Sequence, residues 1–212
     1  MIATLSNLEI ASTDFDTYID MRRLHINPAL LEQRGFEGSV LLRGTTQQAA
    51  GEERLALFNL WDSVTSSKDW SVAPRHDEVA EFVIPLVRSI TTTHYERIED
   101  ASTTAAPESS AQVARISIQD IEPGRVDEYL AYRRDVIHPS MQSADGFVSA
   151  WVLRDIERDA RFAMFFRWRD NIAAETYFHD PYHLGEITDR VRELLTGTLS
   201  TERYDIVSVS AA

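Results

Sequence analysis

His76 and His183 each stand two residues after a proline, in Pro74-Arg-His76 and Pro181-Tyr-His183. Imidazole suits proton transfer near neutral pH, so either one is a candidate general base. Arg22 and Arg133 form a second matched pair, each lying on the apolar stripe of a helical segment. The first stripe carries Phe15, Tyr18, Ile19 and Ile26, the second Val126, Tyr129, Leu130 and Ile137. A guanidinium there needs a partner, because an unpaired buried charge is strongly unfavourable. That partner is either a carboxylate of the protein or the enolate or phenolate oxygen of a bound substrate. Trp61 and Trp168 end their strands. With Tyr18, Tyr129, Trp151, Trp70, Tyr177, Phe178 and Tyr182 they are candidates to line a slot for a flat aromatic ligand. Asn59 sits two residues before Trp61, on the same strand face, and offers an amide able to polarise a carbonyl or hold dioxygen. Its counterpart in the second half is Phe166.

Other chemistries find no support. No pair shows the tight His/carboxylate spacing of a motif such as HExxH, so no metal is expected. Dinucleotide, nucleoside triphosphate and serine-hydrolase signatures are absent. His25, His94, His138 and His179 have no counterparts in the other half and are expected at the surface.

The elements that position these residues occur twice. Asp16-Thr-Tyr18-Ile19-Asp-Met-Arg22-Arg23 overlays Asp127-Glu-Tyr129-Leu130-Ala-Tyr-Arg133-Arg134 at an offset of 111, and Pro28, Gly35-Phe36 and Leu42-Arg43 follow in register. The offset then becomes 107, which aligns Trp61 with Trp168 and His76 with His183. Two copies of one folding unit are implied: repeat one over 1–98, a small polar linker over 99–112 and repeat two over 113–212.

In the second copy the patterning predicts strands Val113–Gln119, Phe147–Arg154, Phe162–Trp168 and Tyr204–Val209. Helices are predicted over Val126–Ile137 (closed by Pro139), Asn171–Phe178 and Tyr182–Thr196. The first copy follows, with helix Asp77–Ile90 kinked at Pro85 and a last strand over Thr93–Ile98. The order is β-α-β-β-α-β, the ferredoxin-like split unit. Strands Leu55–Trp61 and Phe162–Trp168 are apolar on both faces, so each sheet needs a second cover. The fold class expected is α+β, two ferredoxin-like repeats forming an intramolecular dimeric α+β barrel.

The net charge of −13, with no basic cluster, argues against nucleic-acid or membrane partners. Cysteine is absent, which excludes disulfides and thiol chemistry. With no signal-like segment or long apolar run, a cytoplasmic location is expected.

The Gly-Phe opening strand two, the Trp followed by a polar residue closing strand three and the segment His179-Asp180-Pro181-Tyr182-His183 resemble the antibiotic biosynthesis monooxygenase family of dimeric α+β barrels. The resemblance covers all but the linker. It implies an oxygenase acting on a flat aromatic, polyketide-type substrate with dioxygen, in secondary metabolism. The pseudo-dimer would be intramolecular, with further homodimerisation open. No cofactor is expected, because the substrate supplies the electrons; reduced flavin is the alternative. On that reading His76 or His183 is the base, and Arg22 or Arg133 with Asn59 holds the oxyanion. The anthrone-oxidising members carry an asparagine four residues before the strand-ending Trp, where this chain has Leu57 and Met164. A polyketide cyclase and a non-catalytic ligand-binding or stress-response barrel compete with this reading.

Overall fold

The computed structural model describes residues 1–45, 50–102 and 110–211, Ala211 by its backbone alone. The first β-α-β-β-α-β pass comprises β1 (Ile2–Ala11), α1 (Phe15–Met21), α2 (Asn27–Leu31), β2 (Phe36–Gly44), β3 (Glu52–Trp61), α3 (Val64–Ser71), α4 (Pro74–Val83) and β4 (Val87–Ser102). The second comprises β5 (Val113–Asp120), α5 (Val126–Tyr132), α6 (His138–Gln142), β6 (Phe147–Asp155), β7 (Arg161–Trp168), α7 (Asn171–Phe178), α8 (Asp189–Arg192) and β8 (Ser200–Ala211). The strands are hydrogen-bonded in the closed order β1-β3-β2-β8-β5-β7-β6-β4. The chain divides into two compact units, Met1–Tyr95 with Ile206–Ala212, and Glu96–Asp205.

Within each unit the central strand fixes the register in the same way. Trp61 pairs with Ile2 on one side and Phe36 on the other, and Trp168 pairs likewise with Val113 and Phe147. A bulge follows the opening Phe in both, between Phe36 and Gly38 and between Phe147 and Ser149. Strand β7 is buried from Phe162 through Trp168, so both of its faces are covered, as its apolar sequence requires. The core of the second unit gathers Tyr129, Ile137, Met141, Phe162, Met164, Phe166, Trp168 and Tyr177.

The helices depart from expectation at their prolines. Neither Pro28 nor Pro139 ends its helix. A π-turn precedes each, Arg22–Ile26 and Arg133–Ile137, and a fresh α-segment follows with the proline in its first turn, where no N–H is required. Pro85, expected to kink a long helix, instead ends it. α4 stops at Val83, Ile84–Leu86 form a single 3₁₀ turn and β4 begins at Val87. The last helical run is a π-turn, His183–Thr188, plus α8, and stops at Arg192. Strand β4 continues to Ser102 and buries Ala101, so the segment read as a linker from Glu99 begins inside a strand. The linker residues 103–109 lie outside the described residues. Among the described residues no helix is long and apolar enough to cross a membrane.

Candidate active site

A cavity of about 250 Å³ lies in the second unit, against the helix-facing side of its sheet. Strand alternation builds its polar side. Arg115, Ser117 and Gln119 of β5 point the same way, opposite Phe166, Met164 and Phe162 of β7. Across the other edge of β5, Arg115 faces Arg203 of β8 and Ser117 faces Thr201. Two guanidinium groups directly opposite one another repel. The carboxylate of Glu175, from α7, holds both, at 2.5 Å from Arg115 and 2.9 Å from Arg203. Arg115 also lies over the Phe178 ring, 4.3 Å from its centroid. The apolar side comes from Ile137, Met141, Phe166, Phe178, Ile187 and Val191.

Arg133 reaches this cavity from the first residue of its π-turn and is 2 % exposed. Its Nη1 donates to Tyr129 Oη at 3.3 Å, Tyr129 donates in turn to Gln119 Oε1, and Gln119 Nε2 donates to Ser117 Oγ at 3.1 Å. This chain orients Arg133 but neutralises nothing. Its Nε and Nη2 are buried without a hydrogen-bond partner, and no carboxylate ion-pairs with it among the described residues.

His183 opens the π-turn after Pro181 and borders the same cavity. Its ring packs against Tyr177 at 4.6 Å and Phe178 at 5.0 Å between centroids. Burial, aided by the positive charge of Arg115, outweighs the attraction of Asp180 and lowers its pKa to about 4. His183 is therefore neutral across the physiological range, and its Nδ1 is buried without a partner. Tyr177 donates to Ser140 at 3.3 Å, and burial raises its phenol to about 12, so it stays protonated.

The first unit differs in the equivalent places. Arg22, also 2 % exposed, directs Nη2 to Asn27 Oδ1 at 3.0 Å and to Ser39 Oγ at 3.3 Å, while its Nε and Nη1 are buried without a hydrogen-bond partner. Ser39 pairs across the sheet with Asn59, whose Oδ1 is buried without a partner. His76 stands on an exposed helix start, 3.4 Å from Asp77 and edge-on to Trp70 at 5.4 Å. The structure thus brings Arg133 and His183 to one cavity, whereas His76 lies at the surface and Arg22 is held by Asn27 and Ser39.

The aromatic candidates separate too. Trp168 is fully buried among Phe147, Tyr177 and Phe178, and Trp61 packs edge-on to Phe36. Both are core residues, as is Tyr18. Tyr129 stands behind Arg133. Trp151 pairs with Phe165, on the sheet face opposite Phe166, and its ring lies tilted against that of Phe165, with centroids 5.0 Å apart. The expected slot is therefore not formed by Trp151 and Trp168 together. Tyr182 is exposed.

His138, expected at the surface, is buried, because the helix continues past Pro139 and turns this residue inward beside Met141. Its Nδ1 is 3.7 Å from Glu99 Oε2, and burial with the nearby Arg133 and Arg134 charges lowers its pKa to about 4. Sequence reasoning missed Arg115, Ser117, Gln119 and Arg203. The signal was present in Arg115-Ile-Ser117-Ile-Gln119, where every second residue is polar on a strand paired along both edges.

Residues 111–202 match the family described as antibiotic biosynthesis monooxygenase. Among solved structures, a candidate monooxygenase from Fusobacterium nucleatum superposes with a TM-score of 0.78 at 8 % identity, over 99 % of this chain and 94 % of that one. A candidate monooxygenase from Lactobacillus acidophilus gives 0.74 at 13 % identity, over 99 % and 95 %. An anthrone oxidase-like protein gives 0.72 at 15 % identity, over 100 % and 93 %. At these identities the likeness shows the fold, an α+β barrel of two β-α-β-β-α-β units within one chain. No curated protein matches the chain.

Proposed function

We propose, on the match of residues 111–202 to the antibiotic biosynthesis monooxygenase family, that the protein is a cytoplasmic oxygenase whose second repeat oxidises a flat, electron-rich aromatic substrate with dioxygen. The observation that carries the reading is one cavity bordered both by a neutral imidazole, His183, and by a buried guanidinium without a carboxylate partner, Arg133. A base near an activated C–H and a cation near the oxygen that receives the charge are what carbanion formation requires.

In the proposed reaction His183 removes a proton from a benzylic methylene, and Arg133 stabilises the negative charge on the conjugated oxygen. The carbanion then reduces dioxygen. The methylene becomes a carbonyl, one oxygen atom enters the product and the other leaves as water, and the carbon supplies all four electrons. This stoichiometry needs no further reductant. A less electron-rich substrate would require reduced flavin as an added reductant. The test is oxygen uptake by the purified protein with electron-rich hydroxyaromatics of one to three rings, dithranol the largest, with and without reduced flavin. Uptake without flavin supports the direct reaction. Uptake only with reduced flavin keeps the oxygenase class and discards the direct step. No uptake across the panel counts against the reading.

A further inference from the structure

The proposed function places on Arg133 an oxygen over which the carbanion's charge spreads, and leaves open which group of the substrate carries that oxygen. The unpartnered atoms of Arg133 are Nε and Nη2, which form one edge of the guanidinium. The same edge holds a carboxylate elsewhere in this chain. Arg43 uses Nε and Nη2 on the two oxygens of Glu53, and Arg125 uses them on the two oxygens of Glu128. Such a fork matches a planar pair of oxygens and is a strong form of charge-assisted hydrogen bonding. Leaving it empty in a buried position is unfavourable for the folded chain.

The surroundings point to the same ligand. The chain carries a net charge of −13, yet the residues lining this cavity include Arg115, Arg133 and Arg203 and no Asp or Glu. Glu175, the one carboxylate attached to the group among the described residues, is shared between Arg115 and Arg203, so the cluster keeps an excess of positive charge. The facing wall is apolar and partly aromatic. At about 250 Å³ the cavity falls below the usual ~300–1,000 Å³ of ligand pockets, which favours one or two fused rings over three.

From these features we infer that the cavity of the second repeat takes an aromatic carboxylate of one or two rings, its two carboxylate oxygens seated on the Nε–Nη2 edge of Arg133. Both atoms are closed to solvent, so the carboxylate engages them through a small rotation of the guanidinium within the cavity it lines. The inference rests on the proposed assignment of this cavity as the substrate site and narrows its substrate class.

The test is calorimetric titration of the full chain, under nitrogen, with 2-naphthoate, 2-naphthalenemethanol and 2-anthracenecarboxylate at low and high salt. The naphthoate is expected to bind at least tenfold more tightly than the alcohol and more tightly than the tricyclic acid. Arg133→Met should abolish the preference for acid over alcohol, and Arg133→Lys, which keeps the charge but not the fork, should restore only part of it. Should Arg133→Met fail to fold by circular dichroism, Arg203→Gln at a half-exposed position is expected to weaken naphthoate severalfold and leave the alcohol unchanged. Equal binding of acid and alcohol, or an acid preference that survives Arg133→Met, overturns the inference. An acid preference in a protein that consumes no oxygen with any substrate sinks the oxygenase reading and leaves the carboxylate site standing. Oxygen uptake with neutral aromatics alone does the reverse.

Discussion

Arg22 and Arg133 occupy the same place in their repeats, each opening a π-turn and each almost wholly buried, but only Arg133 keeps its Nε–Nη2 edge unpartnered. Arg22 commits Nη2 to Asn27 and Ser39. The residues at the matching positions of the second repeat, His138 and Ala150, supply neither acceptor. Two substitutions around a shared arginine thus leave Arg22 with Nη2 held and Nε and Nη1 bare, and Arg133 with Nη1 held and an Nε–Nη2 fork open to an anion.

That contrast gives a stability prediction. Arg133→Met removes a buried charge with no carboxylate partner, and Tyr129 keeps its bond to Gln119. Replacing such a group with an apolar one of similar volume is neutral or stabilising by about 1 kcal/mol, a rise of roughly 2–4 °C for a chain of this size. Arg22→Met strands Asn27 Oδ1 and should melt lower than Arg133→Met by about the same amount. Thermal denaturation of the two variants beside the parent protein checks this. A clear loss of stability in Arg133→Met would show that Arg133 is a structural residue after all.

The two buried histidines give a pH prediction. His138 and His183 have folded pKa values near 4, below the ordinary 6.5. The unfolded chain therefore binds more protons than the folded one between those values, and stability must fall as pH drops through that window. At pH 5 each contributes a loss on the order of 1–2 kcal/mol, and above about pH 7 the effect vanishes. Melting curves from pH 7.5 to 4.5 should show the fall, and His138→Gln should reduce it. In the same way, the acid limb of turnover set by His183 should lie near pH 4 to 5. A limb at 6.5 would mean that His183 is solvated or is not the base.

Glycine at the opening of strand two is required for the same reason in each repeat. Both Gly35 and Gly146 have positive φ, +80° and +76°. A Cβ on Gly146 would stand 2.5 Å from Ala173 Cβ, which is fixed on α7, and one on Gly35 would stand 2.7 Å from Ser66 Cβ, which is fixed on α3. Gly146→Ala and Gly35→Ala should each cost about 2–3 kcal/mol. Chemical denaturation checks both, and a loss below about 1 kcal/mol in either would contradict the contact argument.

These glycines also show why so much of the fold could be read from the chain. Gly-Phe, the strand-ending Trp and the Pro-x-His step answer to local backbone geometry, so they recur in both copies and mark the same elements. The site was only half legible. His183 and Arg133 stood out because they are repeated, but so did His76 and Arg22, and nothing local separates the pairs. What separates them is non-local: whether residue 39 or 150 supplies a hydroxyl, and which strand places Arg203 opposite Arg115. His138 escaped notice because a π-turn carries the helix past a proline, and helix periodicity does not anticipate that change of phase.

The measurement that most directly tests the account is oxygen uptake by His183→Ala and His76→Ala beside the parent protein, on a substrate the parent oxidises. The working site is assigned to the second repeat, so uptake should fall at least a hundredfold in His183→Ala and stay within about twofold in His76→Ala, which lies on an exposed helix start. Loss in His76→Ala with full activity in His183→Ala would contradict the account.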